Sequence, residues 1–219
     1  MLRIVFFKIF IVTISFLGMM ACQQQSQQQL PYYNTPDFTP HFISNPDDVE
    51  RKITHQIGAF SFTNHHHQIV TAENIKGKIH VANFIFTSCG SICPVMTKNM
   101  YKVYEAFKDD EQFAILSYSV TPWIDSVPRL KKYAAQNNIT SKNWHLLTGD
   151  KVKIYDLARK SYFAEEDLGF TKDSSDFLHT EHFVLVDASQ RIRGIYNGTL
   201  PLEITQLIND IKTLKKGEE

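Results

Sequence analysis

The stretch Lys78-Ile79-His80-Val81-Ala82-Asn83-Phe84-Ile85-Phe86 is a nearly continuous run of β-favouring apolar residues. A strand with one wet face alternates apolar and polar residues, whereas an unbroken run belongs to a strand covered on both faces, as in a sheet sandwiched by helices. Directly after it stand Thr87-Ser88-Cys89-Gly90-Ser91-Ile92-Cys93-Pro94, then Val95, Met96, Met100, Val103, Tyr104 and Phe107 at helical spacing. Pro94 fits the first turn of that helix, where its missing N–H has no partner to lose. The unit is therefore strand, short cysteine-bearing connection, helix.

The flanking sequence extends this unit in both directions. Upstream, Ile57 to Thr63 and Gln68 to Thr71 read as short strands around a turn at Asn64 to His67, with one helical turn at Ala72 to Ile75. Downstream, strands are expected at Phe113 to Val120 and Trp144 to Leu147, and helices at Ser126 to Gln136 and Lys151 to Lys160. A polar loop over Ser161 to Asp176 leads to a hairpin, His182 to Asp187 and Ile192 to Tyr196, and a helix over Pro201 to Leu214 closes the chain. Strands alternating with helices and ending in a hairpin and a helix give an α/β fold of thioredoxin-like arrangement, a central mixed sheet flanked by helices.

The chain has 219 residues, with 23 Lys+Arg against 23 Asp+Glu, nine His and three Cys. That length suits one domain with extensions, and the even charge gives none of the basic footprint that nucleic-acid binding needs. The balance hides a tail. The first 21 residues hold Arg3 and Lys8 and no acid, followed by a mostly apolar run to Ala21 and then by Cys22 and Gln23 to Gln25. A basic region, a short apolar core and small residues before a cut site form an export signal. Gly18-Met19-Met20-Ala21-Cys22 also resembles a bacterial lipoprotein signal, in which Cys22 would carry lipid; the alternative is an uncleaved N-terminal anchor helix. The expected organisation is an export signal over 1–21, a tether and strap over 22–51, and the domain over 52–219.

Cys89 and Cys93 are then the thiols left to an exported domain. A disulfide between them would close a very small loop, so it would add little stability, and a chemical role outweighs a structural one. At a helix entry, unpaired N–H groups favour thiolate over thiol, which predicts lowered thiol pKa values. The spacing alone leaves soft-metal binding and reversible disulfide chemistry both open. His179, in Asp176-Phe177-Leu178-His179-Thr180, precedes a strand that in this fold lies beside the cysteine-bearing helix, despite 86 residues of separation from Cys93. Two thiolates and an imidazole suit Cu(I) and can hold Cu(II). His65-His66-His67 falls at a predicted turn and reads as a solvated turn or an auxiliary metal site. Met96 and Met100 read as core filler.

These residues resemble the Sco/SenC family, from about Ile57 to the C-terminus. Phe86 to Pro94 matches its CxxxCP motif, Ser119 to Leu130 (SVTPWIDSVPRL) resembles the segment after its next strand, and Trp144 to Gly149 (WHLLTG) is similar to its W-x-L-L-T-G. His179-Thr180 fits its ligand histidine. The resemblance implies a membrane-tethered copper protein facing the periplasm, in which Cys89, Cys93 and His179 bind one copper ion. It also implies partners: subunit II of cytochrome c oxidase or another copper acceptor, and a copper donor or thiol reductant. Where the family often carries Asp, this chain has Thr121; Asp125 keeps the second acid of that segment. A thiol-disulfide oxidoreductase is the second function class, with Cys89 as attacking thiol, and a thioredoxin-type peroxidase a more distant third.

Overall fold

The computed structural model describes residues 29–164 and 180–217. The expected export signal over 1–21, Cys22, the acidic run Glu165 to Asp167 and His179 lie outside the described residues.

Among the described residues nine strands form one sheet: β1 (Tyr32–Tyr33), β2 (Pro40–His41), β3 (Ser61–Asn64), β4 (Ile69–Thr71), β5 (Ile79–Ile85), β6 (Phe113–Ser119), β7 (Trp144–Thr148), β8 (His182–Val186) and β9 (Ile192–Asn197). Their spatial order is β2-β1-β9-β8-β5-β6-β7-β3-β4. β5, β6 and β7 run parallel, and β8 pairs antiparallel with β5. The apolar run Lys78 to Phe86 forms the centre of this sheet: all seven residues of β5 and all seven of β6 are buried.

Parallel neighbours need crossovers, and helices supply them. After the one-turn helices α1 (Val49–Lys52) and α2 (Ala72–Ile75), α3 (Ile92–Phe107) joins β5 to β6, α4 (Val127–Gln136) joins β6 to β7, α5 (Lys151–Lys160) follows β7, and α6 (Pro201–Gly217) follows β9. Alternation along the strands splits the core in two. Ile79, Val81 and Ile85 pack with Met96, Met100, Val103 and Phe107 of α3 and with Leu207 and Ile211 of α6. Ala82 and Phe84 point the other way, towards Ile154, Tyr155 and Ala158 of α5. Met96 and Met100 are fully buried core residues, as their helical spacing predicts.

The N-terminal strap is bound to the domain by polar contacts as well as by the buried Leu30 and Ile43. Arg193 donates to the carbonyls of Leu30 (2.8 Å) and Pro31 (3.0 Å) and to Asp187 (3.1 Å). Arg191 donates to the Ile53 carbonyl and to Glu50. The pairing of His80 with Val186 sets the β8–β9 turn beside the start of β5. Strap and cysteines therefore occupy opposite ends of the sheet.

The triple histidine differs from its expectation. Asn64 shapes the β3–β4 turn, its side-chain oxygen accepting the N–H groups of His66 and Gln68 at 2.9 Å each. His66 and His67 are exposed, but His65 is buried under the His66 ring, whose centroid is 4.0 Å away. The Leu146 N–H donates to His65 Nδ1 at 3.2 Å, which puts the ring proton on Nε2 and leaves neither nitrogen with a lone pair for a metal. Burial, with the charges of His66 and His145 adding, lowers the His65 pKa to about 4.

Candidate metal and thiol site

The connection after β5 carries the site. The Cys89 N–H donates to the Phe86 carbonyl at 3.0 Å, closing a turn over Thr87 and Ser88. The helix α3 begins only at Ile92, and its N-cap residue, Ser91, makes no side-chain capping bond. A helix start without a capping side chain leaves N–H groups in need of an acceptor. The Cys89 sulfur lies beside this entry: the N–H groups of Cys93, Ser91 and Ile92 and the Cys93 thiol all act on it in the direction that favours its charged form. Cys89 thus precedes the helix, and the two sulfurs meet across the helix entry instead of standing one turn apart on a helix face.

The two thiols have been split in acidity. Partial burial pushes the Cys89 thiol up, but the converging N–H groups and the Cys93 thiol outweigh it and leave its pKa below the ordinary thiol value. Burial pushes the Cys93 thiol up to about 11, a backbone hydrogen bond from Phe86 opposing, and the Cys89 sulfur and the Asp125 carboxylate adding to the rise. The expectation of lowered pKa therefore holds for Cys89 and fails for Cys93, where desolvation exceeds what the helix entry offers. Cys89 is half-buried, Cys93 is buried, and both are free thiols.

Asp125 lies directly beneath this connection and is entirely buried. Its carboxylate accepts from the Thr87 N–H (3.3 Å), the Thr87 hydroxyl, the Ser119 hydroxyl (2.7 Å) and the Thr121 hydroxyl (3.0 Å). Arg129, one helical turn on, approaches Asp125 at 3.4 Å and donates to the hydroxyls of Thr87 (2.8 Å) and Ser88. Tyr133, on the next turn of α4, shares a 2.6 Å hydrogen bond with Thr97 of α3. Burial, then the charges of Cys93, Asp125 and Cys89, raise the Tyr133 pKa against the Thr97 bond. Around the site Val95, Trp123 and Ile124 are exposed.

Sequence reasoning singles out the two cysteines but not this supporting shell. Arg129 follows Asp125 by four residues, a familiar helical ion-pair spacing, yet nothing local indicates that both reach back about forty residues to Thr87 and Ser88. Among the described residues no three His, Cys, Asp or Glu side chains form a group that could hold a metal ion. The expected third ligand, His179, lies outside them. The neighbouring residue on the described side, Thr180, bonds the His182 N–H. β8 pairs Val184 with Ala82, so its first residue, His182, lies at the Ile85 end of β5.

The protein is 31% identical to BsSco, a member of the Sco family of cytochrome c oxidase assembly proteins with a disulfide switch; the match covers 74% of this chain and 94% of that one, with a TM-score of 0.63. A SCO1/SenC family lipoprotein from Bacillus anthracis is 28% identical, covering 75% and 98% of the two chains, with a TM-score of 0.64. ScoI from Bradyrhizobium japonicum, solved with copper bound, is 25% identical over 72% and 98%, with a TM-score of 0.57. The family model described as SCO1/SenC matches residues 49–216, from α1 through the cysteine connection into the last helix, and the chain belongs to that family.

Proposed function

We propose that this protein binds one copper ion as cargo through the thiolates of Cys89 and Cys93 with His179 as third ligand, and passes it to cysteines of an acceptor. The acceptor we propose is subunit II of cytochrome c oxidase, so that the protein supports assembly of the binuclear copper site. One observation carries the reading: two free thiols meet across a helix entry, one of them half-exposed and held towards its thiolate by three N–H groups. Paired soft sulfur donors match copper, and an imidazole would complete a set that suits Cu(I) and tolerates Cu(II). The start of β8 at the cysteine end of the sheet supports His179 in that role, and the copper-bound relative supports copper as the cargo.

Loading requires both sulfurs as thiolates, so Cys93 must release its proton as copper enters. Handover follows by ligand exchange: an acceptor thiolate replaces the more exposed Cys89 first, and Cys93 and His179 let go afterwards. In keeping with the lipoprotein-like signal and the lipoprotein relative, we place the protein in the cell envelope. There Cys22 carries the lipid, residues 22–51 are tether and strap, and the domain faces the periplasm.

The split between an acidic, half-exposed Cys89 and a buried Cys93 also favours a second reading, a thiol-disulfide oxidoreductase with Cys89 as attacking and Cys93 as resolving thiol. Metal content and thiol titration of wild type beside Cys89→Ser and His179→Ala, with oxidase activity in cells carrying each, separate the two. Copper delivery predicts that bound copper is lost in Cys89→Ser and weakened in His179→Ala, with oxidase activity falling in both. The oxidoreductase predicts activity that survives His179→Ala.

A further inference from the structure

The connection that bears Cys89 is gripped from outside its own βα unit. Asp125 sits just before α4, beyond β6, and is fully buried, yet two of its four hydrogen bonds go to Thr87. The other two, from Ser119 and Thr121, hold the carboxylate to the end of β6. Arg129 adds a second contact to Thr87 and one to Ser88. The two residues immediately before Cys89 are thereby tied to the neighbouring strand and helix. On the other side of the pair, Cys93 is fixed by the helix itself, one residue inside α3.

We propose that Asp125, with Arg129 behind it, is the positioning residue of the thiol pair: by fixing Thr87 and Ser88 it holds the Cys89 sulfur against Cys93 and so sets how readily the two thiols close into a disulfide. The physical ground is effective concentration. Two thiols held within contact range join far more readily than the same thiols on a loose connection, because the ordering entropy has already been lost on folding. A buried carboxylate satisfied by four donors is a rigid post, whereas an exposed side chain in its place would not be. The inference rests on Cys89 and Cys93 acting as a working pair, and it does not depend on copper.

The test is redox equilibration of the full-length, copper-free protein with dithiothreitol. In reduction the Cys89 Sγ–Cys93 Sγ bond breaks and two thiols form. The two electrons and two protons come from the thiols of dithiothreitol, which closes its own cyclic disulfide. Asp125→Ala is expected to shift the equilibrium towards the reduced protein by about tenfold, or about 30 mV to higher potential. Asp125→Asn, which keeps an acceptor for Thr87, is expected to restore most of the loss. Thr87→Val, which removes the gripped hydroxyl and leaves the buried carboxylate three donors, shifts in the same direction by several-fold, and Arg129→Met does likewise. Urea unfolding of each variant is measured alongside, since general destabilisation without a change in the redox equilibrium would mean a structural role only and would overturn the proposal. A shift in Asp125→Asn as large as in Asp125→Ala, with an opposite shift in Arg129→Met, would overturn it in favour of charge. A wild-type protein that forms no disulfide under any ratio of reduced to oxidised dithiothreitol sinks the working-pair reading itself, and the proposal with it.

Discussion

Cys89 and Cys93 influence each other across the entry of α3 while their acidities move in opposite directions, Cys89 down and Cys93 up to about 11. The cause is placement: three helix-entry N–H groups serve one sulfur, and the other is buried behind it. Nucleophilic reactivity follows thiolate population and access. Iodoacetamide near neutral pH should therefore alkylate Cys89 at least about tenfold faster than Cys93. Peptide mass spectrometry over a time course reads both rates, and equal rates would contradict the split.

The same asymmetry predicts how copper loading depends on pH. Cys93 remains a thiol throughout the neutral range and must lose its proton when copper binds. Apparent copper affinity should then rise by about tenfold per pH unit between about pH 6 and 8 from that proton alone. Competition with a chelator of known pH dependence measures the slope; a flat profile would mean that Cys93 is not a ligand.

His80 lies wholly inside the core, its Nε2 3.1 Å from the Tyr162 hydroxyl, which is itself 3.1 Å from that of Tyr118. Burial lowers its pKa to about 3 from an ordinary 6.5. The unfolded chain therefore takes up a proton at His80 below about pH 6.5 while the folded chain does not. Stability is complete above that pH and falls as pH drops towards the folded value. His80 alone should remove roughly 2 kcal/mol between about pH 6.5 and 5. Urea unfolding at the two pH values, compared with His80→Asn, isolates this contribution; an equal loss in the variant would assign it elsewhere, to His65 or His145.

At the other end of the sheet, Arg193 ties the strap to Asp187. Arg193→Met would leave the Asp187 carboxylate without its cation and the Leu30 and Pro31 carbonyls without a donor. Breaking a buried pair from one side costs about 3 kcal/mol or more. The urea midpoint should fall accordingly, and limited proteolysis should open the chain near residue 31 before the domain. A strap as protease-resistant as in wild type would show that its apolar contacts suffice.

Much of the fold was legible because it is written in local pattern. Met96, Met100, Val103 and Phe107 repeat at helical spacing, and β5 announces its double burial by lacking polar alternation. The cysteine pair was legible for the same reason, as a motif between two patterned elements. What was not legible depends on contacts distant in sequence. His65 looks like a turn residue until Leu146, on β7, is seen to cover it. Cys93 looks acidic at a helix entry until its burial is known. Asp125 carries no local mark of its partner, and only the folded chain brings it under Thr87.

The central claim is that Cys89, Cys93 and His179 together hold one copper ion. Copper titration of the reduced mature protein, with bound metal counted against a competing chelator, tests it most directly. Wild type should bind about one copper ion per chain. Cys89→Ser should abolish tight binding, and His179→Ala should weaken it while far-ultraviolet circular dichroism shows a folded domain. Unchanged copper affinity in His179→Ala would contradict the ligand set, and unchanged affinity in Cys89→Ser would contradict the account as a whole.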